Sequence, residues 1–223
     1  QKKCIWFATQ LPVLGFWLET NGIRPNLNKI CNMLQWTRPT TRKGVQRLLG
    51  ILNFFRRFIP NISELLAPIM NIREKTFTWE EIPGAEQAYQ DAYHALMSSK
   101  AFLHFPVEGV PFDLHTDASN TAISATLSQV IEGERRYLGY HSRVLHGSEL
   151  NYSVPKKELL SIVFHAKYYR DFLQSGHFTL YTDANSLCAI LQRLKNPKGN
   201  SVLISWAMEL TEFDFSVHHI AGK

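Results

Sequence analysis

Apolar positions recur with different periods along the chain, and the period separates helices from strands. Val13-Leu14-Gly15-Phe16-Trp17-Leu18 is a short apolar run followed by Asn21-Gly22, a dipeptide that favours tight hairpin turns. Paired strands are therefore predicted within residues 4–24. Pro39-Thr40-Thr41 then offers an N-cap, and a helical pattern runs from Arg42 to Ile59. Val45, Leu48, Leu49, Ile51, Leu52, Phe55, Phe58 and Ile59 fill one half of the helical wheel. The other half holds Arg42, Lys43, Gln46, Arg47, Gly50, Asn53, Arg56 and Arg57, with Phe54 its single apolar intruder. Pro60 stops this helix. A shorter one is predicted over Ile62–Ile72, bent or ended by Pro68. A third follows Pro83, where Ala85, Ala88, Tyr89, Ala92, Leu96 and Met97 recur at helical spacing.

Farther along, period two takes over. Phe112-Asp113-Leu114-His115-Thr116-Asp117-Ala118 and Phe178-Thr179-Leu180-Tyr181-Thr182-Asp183-Ala184 share the pattern Phe-x-Leu-x-Thr-Asp-Ala. Each reads as a strand with apolar residues on one face and Asp on the other. Residues 122–130 and 135–143 read as a hairpin around Glu132-Gly133-Glu134. Between the two Asp-ending strands lies a helix with Pro155 in its first turn and Leu159, Ile162, Val163, Ala166, Tyr169 and Leu173 as its apolar stripe. A last strand is predicted from Phe213 to Ile220. The order strand, strand, strand, helix, strand, helix, strand predicts an α+β architecture: a mixed five-stranded sheet flanked by helices, preceded by a β-hairpin and a helical segment.

Charge divides along the same line. Overall the 223 residues carry a net +5. Residues 1–75 hold 12 basic and 3 acidic side chains, net +9, and residues 76–223 hold 12 and 16, net −4. The Arg42–Arg57 face has five cations and no acid, whereas ordinary solvated helix faces mix signs to form i,i+4 pairs. Contact with a phosphate backbone is the better reading of it. No apolar run is long enough to span a membrane, so no membrane partner is expected. Gln10 and Pro12 interrupt the one stretch that resembles a signal peptide. Cys4, Cys31 and Cys188 are widely spaced, which argues for a reducing compartment and against a disulfide framework or zinc site. Adjacent His218 and His219 would point to opposite faces of a strand and form no metal motif.

Asp is depleted in strands, so two strands that end on Asp call for an explanation. A strand-end turn or helix cap is the plain one, since Asn185-Ser186 could also cap a helix. Glu158, one turn into its helix, reads by composition as a solvated first-turn acid. Taken together, however, two strand-end carboxylates and one helix carboxylate can converge on a single point. Three close carboxylates raise each other's pKa unless a cation compensates. Oxygen ligands without His or Cys suit Mg²⁺ or Mn²⁺, and two such ions can drive phosphodiester cleavage.

At these residues the chain resembles a known family. Leu114-His115-Thr116-Asp117-Ala118-Ser119, Leu127-Ser128-Gln129, Glu149-Leu150-Asn151-Tyr152-Ser153, Lys157-Glu158-Leu159-Leu160-Ser161-Ile162-Val163, Tyr181-Thr182-Asp183 and Ile220-Ala221-Gly222-Lys223 resemble, in order and spacing, the ribonuclease H domain of gypsy-type LTR retrotransposon polyproteins. Val13-Leu14-Gly15-Phe16 resembles the primer-grip hairpin of the reverse transcriptase in those polyproteins. Residues 49–59 resemble its thumb helix, and Phe77-Thr78-Trp79 the start of its connection segment.

The resemblance implies a palm end and thumb over residues 1–75, a connection over 76–108 and a ribonuclease H-like domain over 109–223. It implies hydrolysis of the RNA strand of RNA–DNA hybrids by two divalent cations, Mg²⁺ or Mn²⁺, held by Asp117, Glu158 and Asp183, with Asp117 bridging both. Leu14, Gly15 and Phe16 would seat the primer, and Arg42, Lys43, Arg47, Arg56 and Arg57 would grip the template–primer duplex. The upstream fingers and palm of the same polyprotein are the implied partner, and the implied setting is intracellular: cytoplasm, virus-like particles or nucleus. The family's fourth carboxylate is expected beyond Lys223. Ala122 and Ser124 stand where the family usually has glycines, and Ala184 where it has His, so reduced activity is expected. A non-catalytic hybrid-binding module is the alternative from a different class. An integrase-type nuclease needs a helical Glu farther beyond Asp183 than Glu209 or Glu212 stand.

Overall fold

The computed structural model describes residues 7–26, 28, 38–70, 72, 76–98, 101–185, 187 and 201–221. Cys4, Cys31, Cys188, Ser186, Gly222, Lys223 and the start of the first predicted strand lie outside them. The chain divides into two compact units, Gln1–Ile59 with Leu65–Pro106, and Pro60–Glu64 with Val107–Lys223.

In the first unit, strands β1 (Gln10–Val13), β2 (Phe16–Glu19), β3 (Gly22–Pro25) and β4 (Leu103–His104) form an antiparallel sheet in that order. The predicted hairpin is thus part of a larger sheet, because two residues as far away as Leu103 and His104 complete it. The turn between β1 and β2 places Leu14 and Gly15 in the left-handed region, at φ 50° and 95°. Between β2 and β3 the turn is Thr20-Asn21, since Glu19 pairs with Gly22. Gly22 therefore belongs to the strand rather than the turn. A Cβ there would lie 2.2 Å from the Leu103 carbonyl oxygen, so close backbone approach, not turn geometry, requires glycine.

Helix α1 (Arg42–Phe54) starts at Thr41, whose hydroxyl accepts a bond from the Gly44 amide at 3.1 Å. It buries Val45, Leu48, Ile51 and Leu52 as the pattern predicts. The helix ends at Phe54 rather than Ile59: Phe55 (φ −95°, ψ 10°) leaves the α region, and a single 3₁₀ turn over Arg56–Phe58 follows. Phe55 and Phe58 are fully buried there, so packing of the two rings takes over from the helical period. The predicted Ile62–Ile72 helix is two short ones, α2 (Ile62–Leu65) and α3 (Ala67–Met70). Pro68 has no N–H for the carbonyl four residues back, yet sits well in the first turn of a new helix. Helix α4 (Ala85–Met97) buries Ala85, Ala88, Tyr89, Ala92 and Leu96 and packs on α3.

The second unit contains β5 (Phe112–Ala118), β6 (Ala122–Ile131), β7 (Glu134–Val144), α5 (Val154–Tyr168), α6 (Arg170–Leu173), β8 (Phe178–Thr182), α7 (Ser201–Leu210) and β9 (Phe215–His219). Its five strands are ordered β7-β6-β5-β8-β9. The β5–β6 and β6–β7 pairs are antiparallel, and β5–β8 and β8–β9 parallel. Glu132 and Gly133, both at positive φ, make the tight β6–β7 turn. Leu159, Ile162, Val163 and Ala166 of α5 pack with Leu114, Leu127, Phe178 and Leu180 of the sheet, and Leu210 and Phe213 join them. This is the mixed α+β fold expected from the pattern.

Candidate metal centre

The repeated Phe-x-Leu-x-Thr-Asp motif has a simple structural consequence. Strands β5 and β8 are adjacent and parallel, with Leu114 opposite Leu180 and His115 opposite Tyr181. Asp117 and Asp183 therefore come to the same end of two neighbouring strands. Helix α5 packs against β5 and brings Glu158, in its first turns, to that end. One carboxylate oxygen from each of Asp117, Glu158 and Asp183 lies within 4.8 Å of the other two.

Burial distinguishes the three. Asp117 and Asp183 are exposed, whereas Glu158 is only 3% exposed. The solvated first-turn acid suggested by composition is thus a buried one, because the strand ends cover that turn of the helix. Among the described residues its Oε2 has no hydrogen-bond partner, an arrangement that costs free energy unless something occupies the point it faces. Burial, then the charges of Asp183 and Asp117, push the Glu158 carboxyl up to about 8 against a smaller opposing effect of the Ala118 amide. Enclosure and the charge of Asp183 also raise Asp117. Among the described residues no ion pair involves any of the three. Lys157, next to Glu158 and itself buried, sends its ammonium to the Asn120 carbonyl at 3.0 Å.

Other side chains hold the backbone of these acids in place. Ser161 Oγ lies 3.0 Å from the Asp117 carbonyl oxygen and 3.1 Å from that of Ser124. His219 Nε2 lies 3.0 Å from the Asp183 carbonyl oxygen. Sequence reasoning assigned no role to either residue. A Ser and a His at one-turn spacing inside the apolar Leu159–Ala166 stretch was a signal for the first; His219 gave none, since its bond depends on the β8–β9 pairing.

The nucleic-acid residues proposed from the sequence lie in the first unit. Leu14 projects from the β1–β2 turn at 83% exposure, and Gly15 completes that turn. Phe16 is half-buried, with its ring stacked on Phe54. Arg42, Lys43 and Arg47 are exposed on α1. Arg56 and Arg57 lie in the 3₁₀ turn beyond the helix, Arg57 exposed and Arg56 half-buried, so the five cations do not share one helical face.

Residues 108–213 match the family described as the RNase H-like domain found in reverse transcriptase. The Transposon Tf2-3 and Tf2-4 polyproteins of Schizosaccharomyces pombe (strain 972 / ATCC 24843) are each 32% identical to the chain over 226 residues, covering 100% of it and 17% of their own length. The chain thus spans about a sixth of the curated relatives it matches. Among solved structures, the foamy viral protease-reverse transcriptase in complex with RNA/DNA hybrid superposes with a TM-score of 0.73 at 21% identity, over 100% of this chain and 31% of that one. Its complex with dsDNA gives 0.69 at 20% identity, over 97% and 46%. At that identity the likeness establishes the fold. No described helix is long and apolar enough to cross a membrane.

Proposed function

We propose that this chain is the thumb, connection and ribonuclease H portion of a gypsy-type LTR-retrotransposon reverse transcriptase, and that its second unit hydrolyses the RNA strand of RNA–DNA hybrids. One observation carries this reading: the oxygens of Asp117, Glu158 and Asp183 converge within 4.8 Å while the buried Glu158 Oε2 has no partner among the described residues. The match of residues 108–213 to an RNase H-like family and the relationship to transposon polyproteins support it.

The donor set fits divalent metal. It is all oxygen, formally trianionic, and leaves a buried acceptor unsatisfied, which suits Mg²⁺ or Mn²⁺ and neither a soft metal nor an organic cofactor. Asp117, Glu158 and Asp183 would hold the ions. When bound, such ions lower the pKa of an attacking water and stabilise the leaving oxygen of the phosphodiester. Burial holds Glu158 protonated in the metal-free chain up to about pH 8, and it would have to give up that proton to serve as a ligand. Ser161 and His219 keep the strand ends carrying Asp117 and Asp183 in place. The Leu14-Gly15 turn would seat the primer end, with Arg42, Lys43, Arg47 and Arg57 along the phosphate backbone. Fingers and palm supplied by the same polyprotein are the partner this arrangement calls for.

The test is incubation of a labelled RNA–DNA hybrid with Mg²⁺ or Mn²⁺, using this chain and one extended past Lys223. The expected result is cleavage of the RNA strand to 3′-hydroxyl and 5′-phosphate ends, abolished by Asp117→Asn. Cleavage unaffected by that substitution would refute the assignment. Hybrid binding without cleavage in both forms would replace it with a non-catalytic binding module.

A further inference from the structure

Ser161 and His165 are one turn apart on α5 and fully buried. Their polar atoms form a closed network inside the apolar core of the second unit, a place where polar groups persist only when satisfied. His165 Nδ1 lies 2.8 Å from the Ser161 carbonyl oxygen. A carbonyl only accepts, so that nitrogen carries the proton. The other ring nitrogen, Nε2, is then an acceptor and takes a bond from His141 Nδ1 at 3.2 Å. Burial depresses His165 to about 3, so the ring stays neutral and this tautomer persists across the working pH range.

The tautomer settles the direction of the serine hydroxyl. Ser161 Oγ is 3.2 Å from His165 Nδ1, which already bears hydrogen and cannot accept. The Ser161 proton therefore goes to the carbonyls of Asp117 and Ser124, 3.0 and 3.1 Å away. These two residues face each other across the β5–β6 ladder. One hydroxyl thus ties the end of that ladder to the helix, less than one turn beyond Glu158.

We propose that Ser161, oriented by His165 and through it by His141 of β7, is a positioning residue that sets the spacing between Asp117 and Glu158 for divalent-metal binding. The inference rests on the metal reading above. Ser161 touches neither the ion nor the substrate; it acts through the Asp117 backbone. Groups of this kind, one step removed from the ligands, orient metal sites, and their removal commonly lowers metal affinity 10- to 100-fold.

The test compares the full chain with S161A and S161T by calorimetric titration with Mn²⁺, alongside metal-free melting curves. S161A is expected to bind Mn²⁺ about tenfold more weakly while remaining folded, because His165 keeps its bond to the backbone carbonyl of residue 161. S161T, which retains a hydroxyl, is expected to recover most of that loss. In any form that cleaves hybrid, S161A should lower kcat and leave KM for the hybrid unchanged. Equal Mn²⁺ affinity in S161A and the unaltered chain would overturn the inference and leave the metal site standing. No Mn²⁺ binding by the unaltered chain would overturn both. A loss that follows a collapse in melting temperature and is not recovered by S161T would show a merely structural role and would also overturn it.

Discussion

The ring of Phe16 stacks on that of Phe54, with centroids 5.0 Å apart and planes 13° from parallel. Phe16 also meets Phe55 edge-on at 5.7 Å and Phe58 at 5.5 Å. Phe54 looked out of place on the polar side of its helix because the wheel shows only one helix. The partner is a hairpin, and Phe54 is the side chain over which the hairpin closes. A double-mutant cycle on Phe16→Ala and Phe54→Ala should give a coupling of about 0.5–1.5 kcal/mol in denaturant unfolding, the usual worth of an aromatic pair beyond its buried area. Additive single effects would show that the rings merely lie side by side.

Gly22 makes a second prediction about the first unit. Beyond the Leu103 oxygen, a Cβ at this position would meet the Phe102 ring at 2.7 Å. Gly22→Ala should therefore separate β3 from β4 and cost about 1–3 kcal/mol, as overpacking commonly does. Asn21→Ala, in the turn itself, should cost less. Melting temperatures of the two variants check the order, and a larger loss for Asn21→Ala would restore the turn reading of Gly22.

These two residues mark where sequence pattern stops being informative. Strands β5 and β8 and helix α5 were legible because each buries a face of regular period. The duplicated Thr-Asp was legible because parallel neighbours in register turn a sequence repeat into a spatial one. The burial of Glu158 was not legible, since it depends on which strand ends pack over the first turns of α5, and no neighbour in sequence reports that. Strand β4 was missed for a related reason: two residues show no period, and they are strand only because Gly22 admits them. The predicted helix to Ile59 failed where the rings of Phe55 and Phe58 found better burial off the helical path. His219 escaped notice because a strand pattern says which face a residue takes, not what backbone it meets on the adjacent strand.

The basic surface is tested by its salt response. Charge reversal at Arg42, Lys43, Arg47 or Arg57, all exposed, should weaken hybrid binding. It should also flatten the dependence of log K on log salt by about 0.9 for each phosphate that is no longer neutralised. Arg56 is half-buried in the 3₁₀ turn. Its reversal should lower the melting temperature more than it changes the slope, because it sets a carboxylate among the groups that now surround the half-buried guanidinium. Binding measured across a range of salt concentrations separates the two classes. An unchanged slope in all four exposed variants would remove the phosphate-binding role.

Stability against pH provides the last prediction, and two kinds of group oppose each other in it. Glu158 is raised to about 8 in the folded chain, so between its unfolded value near 4.5 and about 8 the folded state holds a proton that the unfolded state has lost. Its contribution is therefore fully present below about pH 4.5 and is lost as pH rises through 8. His165 and His115 are lowered by burial to about 3 and about 4. Below their unfolded value of about 6.5 the unfolded state binds protons that the folded state refuses, so their contribution is lost as pH falls. Asp117 and Asp113 are raised as well and act in the same sense as Glu158. The histidines and the raised carboxyls therefore oppose each other below about pH 6.5, and only the carboxyl effect remains as pH rises toward 8. The metal-free chain should thus lose stability from about pH 6.5 toward pH 8. Glu158→Gln removes the alkaline loss: it should match the unaltered chain near pH 5 and melt a few degrees higher at pH 8. Millimolar Mn²⁺ should also abolish the loss, by neutralising the carboxylates that burial and mutual repulsion disfavour. Melting curves from pH 4 to 9, with and without Mn²⁺, decide the matter. An alkaline limb that persists in Glu158→Gln would mean that some other group carries it.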